Sequence, residues 1–195
     1  PAREVESIHK TINEDRFMFD LVIRNGIIVD GTGRDRFSAD VAVRGGRIIQ
    51  VGQVGGGGRE EIDASGLLVT PGWVDVHTHF DGQATWDPIL EPSSVHGTTT
   101  VVMGNCGVGF APCKPTAEER DRMIRVMEDV EDIPGSALHE GITWEWESFP
   151  EYLDALDRCE RVIDIAAQVP HCAVRSYVMG ERGVHNEAAT EEDIQ

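Results

Sequence analysis

His77 and His79 stand two residues apart in the stretch GWVDVHTH, at the end of an apolar run. In an extended strand residues i and i+2 share a face, so Asp75, His77 and His79 form one polar stripe while Val74, Val76 and Thr78 face the other way. Two imidazoles aimed at one point suit a metal ion. Cys106, in Asn105-Cys106-Gly107 at the end of the next candidate strand, adds a thiolate. Sulfur together with imidazole favours zinc over calcium or magnesium. Cys106 also admits two other readings: a nucleophile activated by His77 or His79, or a plain buried thiol. The first of these conflicts with using the histidines as ligands. Asp75 either orients a ligand histidine or makes a structural contact. His171, at the exit of a third candidate strand, reads as a substrate contact or an ordinary loop histidine, and His96, at the opposite end of its strand, as structural. His9, His139 and His185 have weaker contexts. Asp81, Asp87, Asp129, Asp132 and Glu147 could accept protons, but no two of them are placed by sequence as an acid/base pair.

The elements that must position these residues follow from the punctuation around them. Thr70-Pro71-Gly72 precedes the histidine strand and Phe80-Asp81-Gly82 releases it into a loop, so the strand covers 72–77 with its histidines at the C-terminal end. Residues 98–103, Thr-Thr-Thr-Val-Val-Met, make a second buried strand, and 161–169 a third. Their near-continuous apolar character is that of parallel strands covered on both faces. Between the first two, 84–96 has room for a crossover with a short helix interrupted by Pro88 and Pro92. Thr116 and Glu119 have capping-box spacing ahead of a helix with Met123, Ile124, Met127 and Val130 on its apolar side. Pro134 and Gly135 end that segment. A second helix begins near Ser148, with Pro150 in its first turn and Tyr152, Leu153 and Leu156 as its buried stripe. Thr190-Glu191-Glu192-Asp193 starts another helix, of which a first turn alone is not stable.

Ahead of this region the pattern is all β. Leu21-Val22-Ile23, Asn25-Gly26 and Ile27-Ile28-Val29 predict a tight hairpin, because Asn-Gly supplies the positive dihedrals of a two-residue turn. Residues 39–43 and 47–51 predict another pair around Arg44-Gly45-Gly46, and 60–63 and 67–69 two more short strands. Gly55-Gly56-Gly57-Gly58 lacks the spacing and the Gly-Lys-Ser/Thr ending of a phosphate loop. The expected fold is α/β: an N-terminal extension over 1–18, the N-terminal part of a small β-sandwich domain over 19–70, and over 71–195 the first part of an incomplete TIM-like (β/α)8 barrel that continues beyond 195.

Composition excludes several classes. The 195 residues hold 17 Lys+Arg against 35 Asp+Glu, a formal charge of -18, and ten of those negative charges come from the span between Glu118 and Asp164. Such a field repels phosphates, so neither nucleic acid nor an anionic membrane surface is an expected partner. The chain has no apolar run long enough to span a bilayer, and its first residues are too charged for a secretory hydrophobic region, so a cytoplasmic location is expected. The four cysteines, Cys106, Cys113, Cys159 and Cys172, have neither zinc-finger spacing nor a dense disulfide pattern.

From Phe19 onward the chain resembles the D-aminoacylase, or N-acyl-D-amino-acid deacylase, family of the metal-dependent amidohydrolase superfamily. The resemblance rests on FDLVIRNGIIVDGTG, ADVAVRGGRIIQVG, GLLVTPGWVDVHTHFDGQATWDP, SSVHGTTTVVMGNCGVGFAPCKP, DIPGSALHEGITWEWESFPEYLDAL and AAQVPHCAVRSYVMGERG. It implies a β-sandwich, completed by sequence after the barrel, joined to a (β/α)8 barrel. It implies metal ligation by His77, His79 and Cys106, the cysteine standing where many relatives use a modified lysine. Histidines from the fifth and sixth strands and an aspartate from the eighth, the general acid/base, are expected downstream of Gln195. No catalytic residue is therefore assigned within the chain, and the segment alone is expected to be inactive. Many relatives have glycine where this chain has Cys172. The implied activity is hydrolysis of the amide bond of N-acyl-D-amino acids or related N-acyl compounds by zinc-activated water. Alternatives are a cyclic-amide hydrolase of hydantoinase or dihydroorotase type, and an inactive amidohydrolase-like binding protein. The expected partner is a small-molecule N-acyl amide, and the barrel surface leaves room for a homo-oligomer.

Overall fold

The computed structural model describes residues 18–195; the extension expected over 1–18 lies outside them apart from Met18. The chain divides into two compact units, Pro1–Pro71 and Gly72–Gln195.

The described part of the first unit is one sheet of β1 (Phe19–Ile28), β2 (Phe37–Arg44), β3 (Arg47–Gly52), β4 (Gly58–Asp63) and β5 (Leu68–Val69). The order is β3-β2-β1-β4, with β5 also on β1. β2 and β3 form the expected antiparallel hairpin, turned by Gly45 and Gly46 at φ +56° and +71°. The hairpin expected at Asn25-Gly26 is not formed. Asn25 does take a positive φ of 60°, but Gly26 does not, and a two-residue turn of that type needs both. The chain instead runs straight on as β1. It absorbs one extra residue in a bulge between Ile23↔Val41 and Gly26↔Ala39, where Arg24 and Asn25 together face Asp40. Asp40 accepts from the Asn25 backbone N–H at 2.9 Å and from Arg24 at 3.3 Å. Gly26 is needed for close approach of β5: a Cβ there would lie 2.5 Å from Val69 Cγ2.

The second unit carries β6 (Trp73–Thr78), β7 (Thr98–Met103) and β8 (Asp164–Ala167), all parallel and in the order β6-β7-β8. Helical segments follow each strand, as at the start of a (β/α)8 barrel. The first crossover holds two short 3-10 turns, Gln83–Thr85 and Ser94–His96. After β7 come α1 (Ala117–Glu131), α2 (Gly135–Gly141) and α3 (Phe149–Asp157), and after β8 come α4 (His171–Met179), α5 (Glu181–Val184) and α6 (Glu191–Ile194). β8 is shorter than the 161–169 expected. Its flanks are committed elsewhere: Arg161 donates to the Leu156 and Ala84 carbonyls, and the Val162 N–H to Pro88 O.

Thr116 caps α1 by accepting from the Glu119 N–H at 3.2 Å. The Glu119 carboxylate does not reach back to complete a box, because it is buried against Ser176 and Arg122. Ser148 and Glu151 do make the reciprocal box at the start of α3. Two expected core residues are exposed. Val130 lies one turn beyond Met127, at the open end of α1, and Leu153 is rotated off the stripe that Tyr152, Ala155 and Leu156 actually form. The core sits between α1, α3 and the sheet, with Met103, Phe110, Ile124, Met127, Leu138 and Tyr152 fully or almost fully buried.

Candidate metal centre

β6 brings His77 to its C-terminal end and His79 just past it, with ring centroids 5.3 Å apart. Cys106 arrives on the turn that leaves β7. Gly104 and Gly107 bracket that turn at φ +82° and +94°, closed by a Gly107 N–H to Gly104 O bond of 3.0 Å. Gly104 is also required sterically, since a Cβ would collide with the carbonyl oxygen of Gln168 just past β8. Asn105 ties the turn to the histidine strand by donating to the Val76 carbonyl. One ligand atom each from His77, His79 and Cys106 lies within 4.8 Å of the others.

The separation of Cys106 Sγ from His79 Nδ1 is 3.7 Å. In a tetrahedral zinc site, with Zn–N of about 2.0–2.1 Å and Zn–S of about 2.3 Å, neighbouring N and S ligands lie about 3.6 Å apart. The donor set and this sulfur–nitrogen spacing therefore fit zinc. Burial first, then the charges of Glu131 and Asp81, push the Cys106 thiol up, against one N–H from Val108 at 3.4 Å that favours the thiolate. A free nucleophilic cysteine needs the opposite shift, so the nucleophile reading gains no support from these surroundings.

The other candidates separate cleanly. Asp75 accepts from the backbone N–H of His77 at 3.1 Å, so it braces its own strand rather than an imidazole. His171 opens α4, where its Cβ would lie 3.7 Å from a Cβ on Gly107, beside the trio but outside it. Cys172 follows, its N–H donating to Gly107 O at 2.8 Å. His96 lies in the turn that enters β7, at the far end of that strand. His139 and His185 sit at the surface near Asp121 and Glu181, and His9 lies outside the described residues.

Two acidic residues stand out only in three dimensions. Asp81 is 3% exposed, with Tyr152 donating to its backbone carbonyl at 2.7 Å. Burial, assisted by the charge of Glu131, pushes its carboxyl up to about 7. Glu131, in the last turn of α1, places Oε2 3.2 Å from His79 Nε2. No local pattern marks it, because the pairing joins residues 52 positions apart on different elements. Beside the turn lies a cavity of about 250 Å³ whose walls include Val108, Met123, Val126, Val130, His171 and Cys172.

A parallel βα array with histidines and a cysteine at its strand ends defines a class that the comparisons identify: the chain belongs to the amidohydrolase family, whose pattern it matches over residues 60–195. Residues 2–72 also match the pattern described as the N-terminal domain of the urease alpha-subunit. The chain is similar to D-aminoacylase of Alcaligenes xylosoxydans xylosoxydans, 34% identical over 180 residues that cover 90% of this chain and 33% of the relative. Its fold is similar to that of the N-acyl-D-glutamate deacylase from Bordetella bronchiseptica, solved with zinc and a phosphonate inhibitor that mimics the tetrahedral intermediate. That likeness has a TM-score of 0.72 and 35% identity, covering 90% of this chain and 34% of that one. A structure of D-aminoacylase described by its binuclear metal centre is similar at TM-score 0.72 and 34% identity, over 91% of this chain and 34% of that one. The chain thus spans about a third of the length of these relatives.

Proposed function

We propose that the protein is a zinc-dependent hydrolase of the amide bond in N-acyl-D-amino acids or related N-acyl compounds, with His77, His79 and Cys106 holding the metal. The observation that carries this reading is the convergence of those three donors within 4.8 Å. The deacylase names and the zinc of the similar structures support it. When bound, zinc supplies Lewis acidity, polarising an amide carbonyl and lowering the pKa of water.

The chain's own residues have distinct parts. Asn105 fixes the cysteine turn against β6, and the Val108 N–H helps hold charge on sulfur. The cavity beside the turn takes an apolar substituent of the substrate: its 250 Å³ exceeds the roughly 150 Å³ of an apolar cavity that binds benzene. In this proposal proton transfer belongs to an aspartate in sequence beyond Gln195, and no residue of this chain is given that role.

The test uses the full-length protein. Zinc content is measured, and turnover is assayed on N-acyl-D- and N-acyl-L-amino acids and on cyclic amides, for the wild type, His77→Ala and Cys106→Ser. The expected result is zinc in the wild type, D-selective release of the amine, and loss of both in the variants. Turnover confined to rings moves the reading to a cyclic-amide hydrolase. A protein that binds zinc and turns over nothing is the inactive relative, and activity indifferent to both substitutions overturns the metal site.

A further inference from the structure

We infer that the cavity beside the cysteine turn binds the tail of the substrate's acyl group and sets the preferred acyl-chain length, with Val126 and Val184 as specificity-determining walls. The inference rests on the amide-hydrolase reading above and adds which substituent enters the cavity and how far.

The cavity, about 250 Å³, has a floor and a rim. Met123, Ser176 and Gly183 are buried, whereas Val130, His171 and Cys172 are exposed. The exposed set is the one beside the metal centre. Val130 precedes Glu131, whose Oε2 lies 3.2 Å from His79 Nε2, and Cys172 donates its backbone N–H to Gly107 O at 2.8 Å. Val108, also in the wall, donates its N–H to Cys106 Sγ at 3.4 Å. The cavity therefore opens toward the three metal donors and runs away from them along α1, where Val130 to Met123 spans roughly 10 Å at a rise of about 1.5 Å per residue.

Below the rim the polar side chains are already engaged. Ser176 Oγ donates to Glu119 Oε1 at 2.5 Å, and the Arg175 guanidinium donates to the carbonyls of Gly183 at 3.4 Å and Glu187 at 2.6 Å. Groups satisfied within the protein ask nothing of an occupant, so the surface left by Val108, Met123, Val126 and Val184 favours an apolar chain. The chemistry of the amide says which chain. An acyl tail is bonded directly to the carbonyl carbon that is attacked, whereas an amino-acid side chain is separated from it by the amide nitrogen and the α-carbon. A cavity whose wall begins one backbone N–H from the Cys106 sulfur therefore meets the acyl tail first. Val126 on α1 and Val184 on α5 approach that tail from different helices.

The test uses the full-length protein in its wild-type form and as Val126→Phe and Val184→Phe, each of which fills the cavity from one side. Two substrate series separate the substituents: D-alanine carrying acetyl, butanoyl, hexanoyl or octanoyl, and N-acetyl-D-amino acids with side chains growing from alanine to norleucine. In the wild type kcat/KM is expected to rise along the acyl series by about fourfold per methylene, the factor that corresponds to burying one, until the cavity is full. Each phenylalanine variant should lower the octanoyl-to-acetyl ratio of kcat/KM by at least about 10-fold, the lower end of what one misplaced methylene costs in an apolar pocket. The side-chain series should keep its wild-type ratios. If Val126→Phe does not fold, Val184→Phe decides. Variants that change every acyl length by the same factor, or that select against long side chains instead, overturn the acyl assignment while leaving the hydrolase reading intact. A wild type that turns over no N-acyl amino acid removes that reading and this inference with it.

Discussion

Gly104 controls the turn that carries Cys106, the proposed sulfur ligand, without touching it. Its φ of +82° is a region that residues with a Cβ rarely adopt, and a Cβ there would also meet the Gln168 carbonyl. Gly104→Ala is expected to destabilise the second unit by about 1–3 kcal/mol from the backbone alone. It should also weaken zinc binding, since Asn105 and Cys106 follow directly. Chemical denaturation and chelator competition on the same samples check both; a variant as stable as the wild type would remove the argument. The trio itself was legible in the sequence, because alternation along β6 puts His77 and His79 together and the Asn-Cys-Gly turn marks the end of β7. Glu131 and Asp81 were not. In the sequence Asp81 is only one of several acids able to accept a proton; its burial, and the approach of Glu131 to His79 from a helix folded back over the strand ends, are set by long-range packing that residue type in a chain this acidic does not signal.

At the scale of elements, the Asn-Gly step shows how one local signal serves two structures. A positive φ at Asn25 is common to a tight turn and a bulge; the outcome is settled by Asp40 across the ladder and by Val69 packed over Gly26. Neither neighbour is visible from the dipeptide. The helix starts at Thr116 and Ser148 were readable because caps are local, and β8 was overextended because only its long-range hydrogen bonds set its ends. The bulge has a pH signature. Asp40 is held below its ordinary 3.8 first by the Asn25 N–H, then by the Val54 N–H and the Arg24 guanidinium, against a cost from burial. A depressed folded-state pKa contributes stability that is complete above the unfolded value and lost as pH falls through the folded one. Asp40→Asn is therefore expected to be less stable than the wild type at pH 7, with the gap closing as pH drops below about 4. Asp30, Glu61 and Asp63 are also depressed, so acid weakens both proteins. The difference between them isolates Asp40, and a gap that stays constant with pH would show that the bulge does not depend on its charge.

For the whole molecule, the three-stranded sheet of the second unit poses the largest physical demand. Parallel strands are ordinarily covered on both faces. Here β6 and β8 are both edges, and Trp73, Val76 and Val162 are 62%, 65% and 68% exposed. That much apolar surface beside an open strand edge favours association. The charge of -18 opposes it, but only over the screening distance of roughly 10 Å at moderate salt. The 195-residue chain is therefore expected to bind a hydrophobic dye and to sediment as concentration-dependent oligomers, more strongly as salt rises. Replacing Val76 by Lys should reduce both effects, because a charge on an edge strand blocks edge-to-edge pairing. The same measurements on a longer form of the protein should show weak dye binding, because added strands would cover β6 and β8. A 195-residue chain that stays monomeric and dye-free at high salt would mean that these residues are covered within the chain itself, and that the sheet is closed by contacts other than further barrel strands.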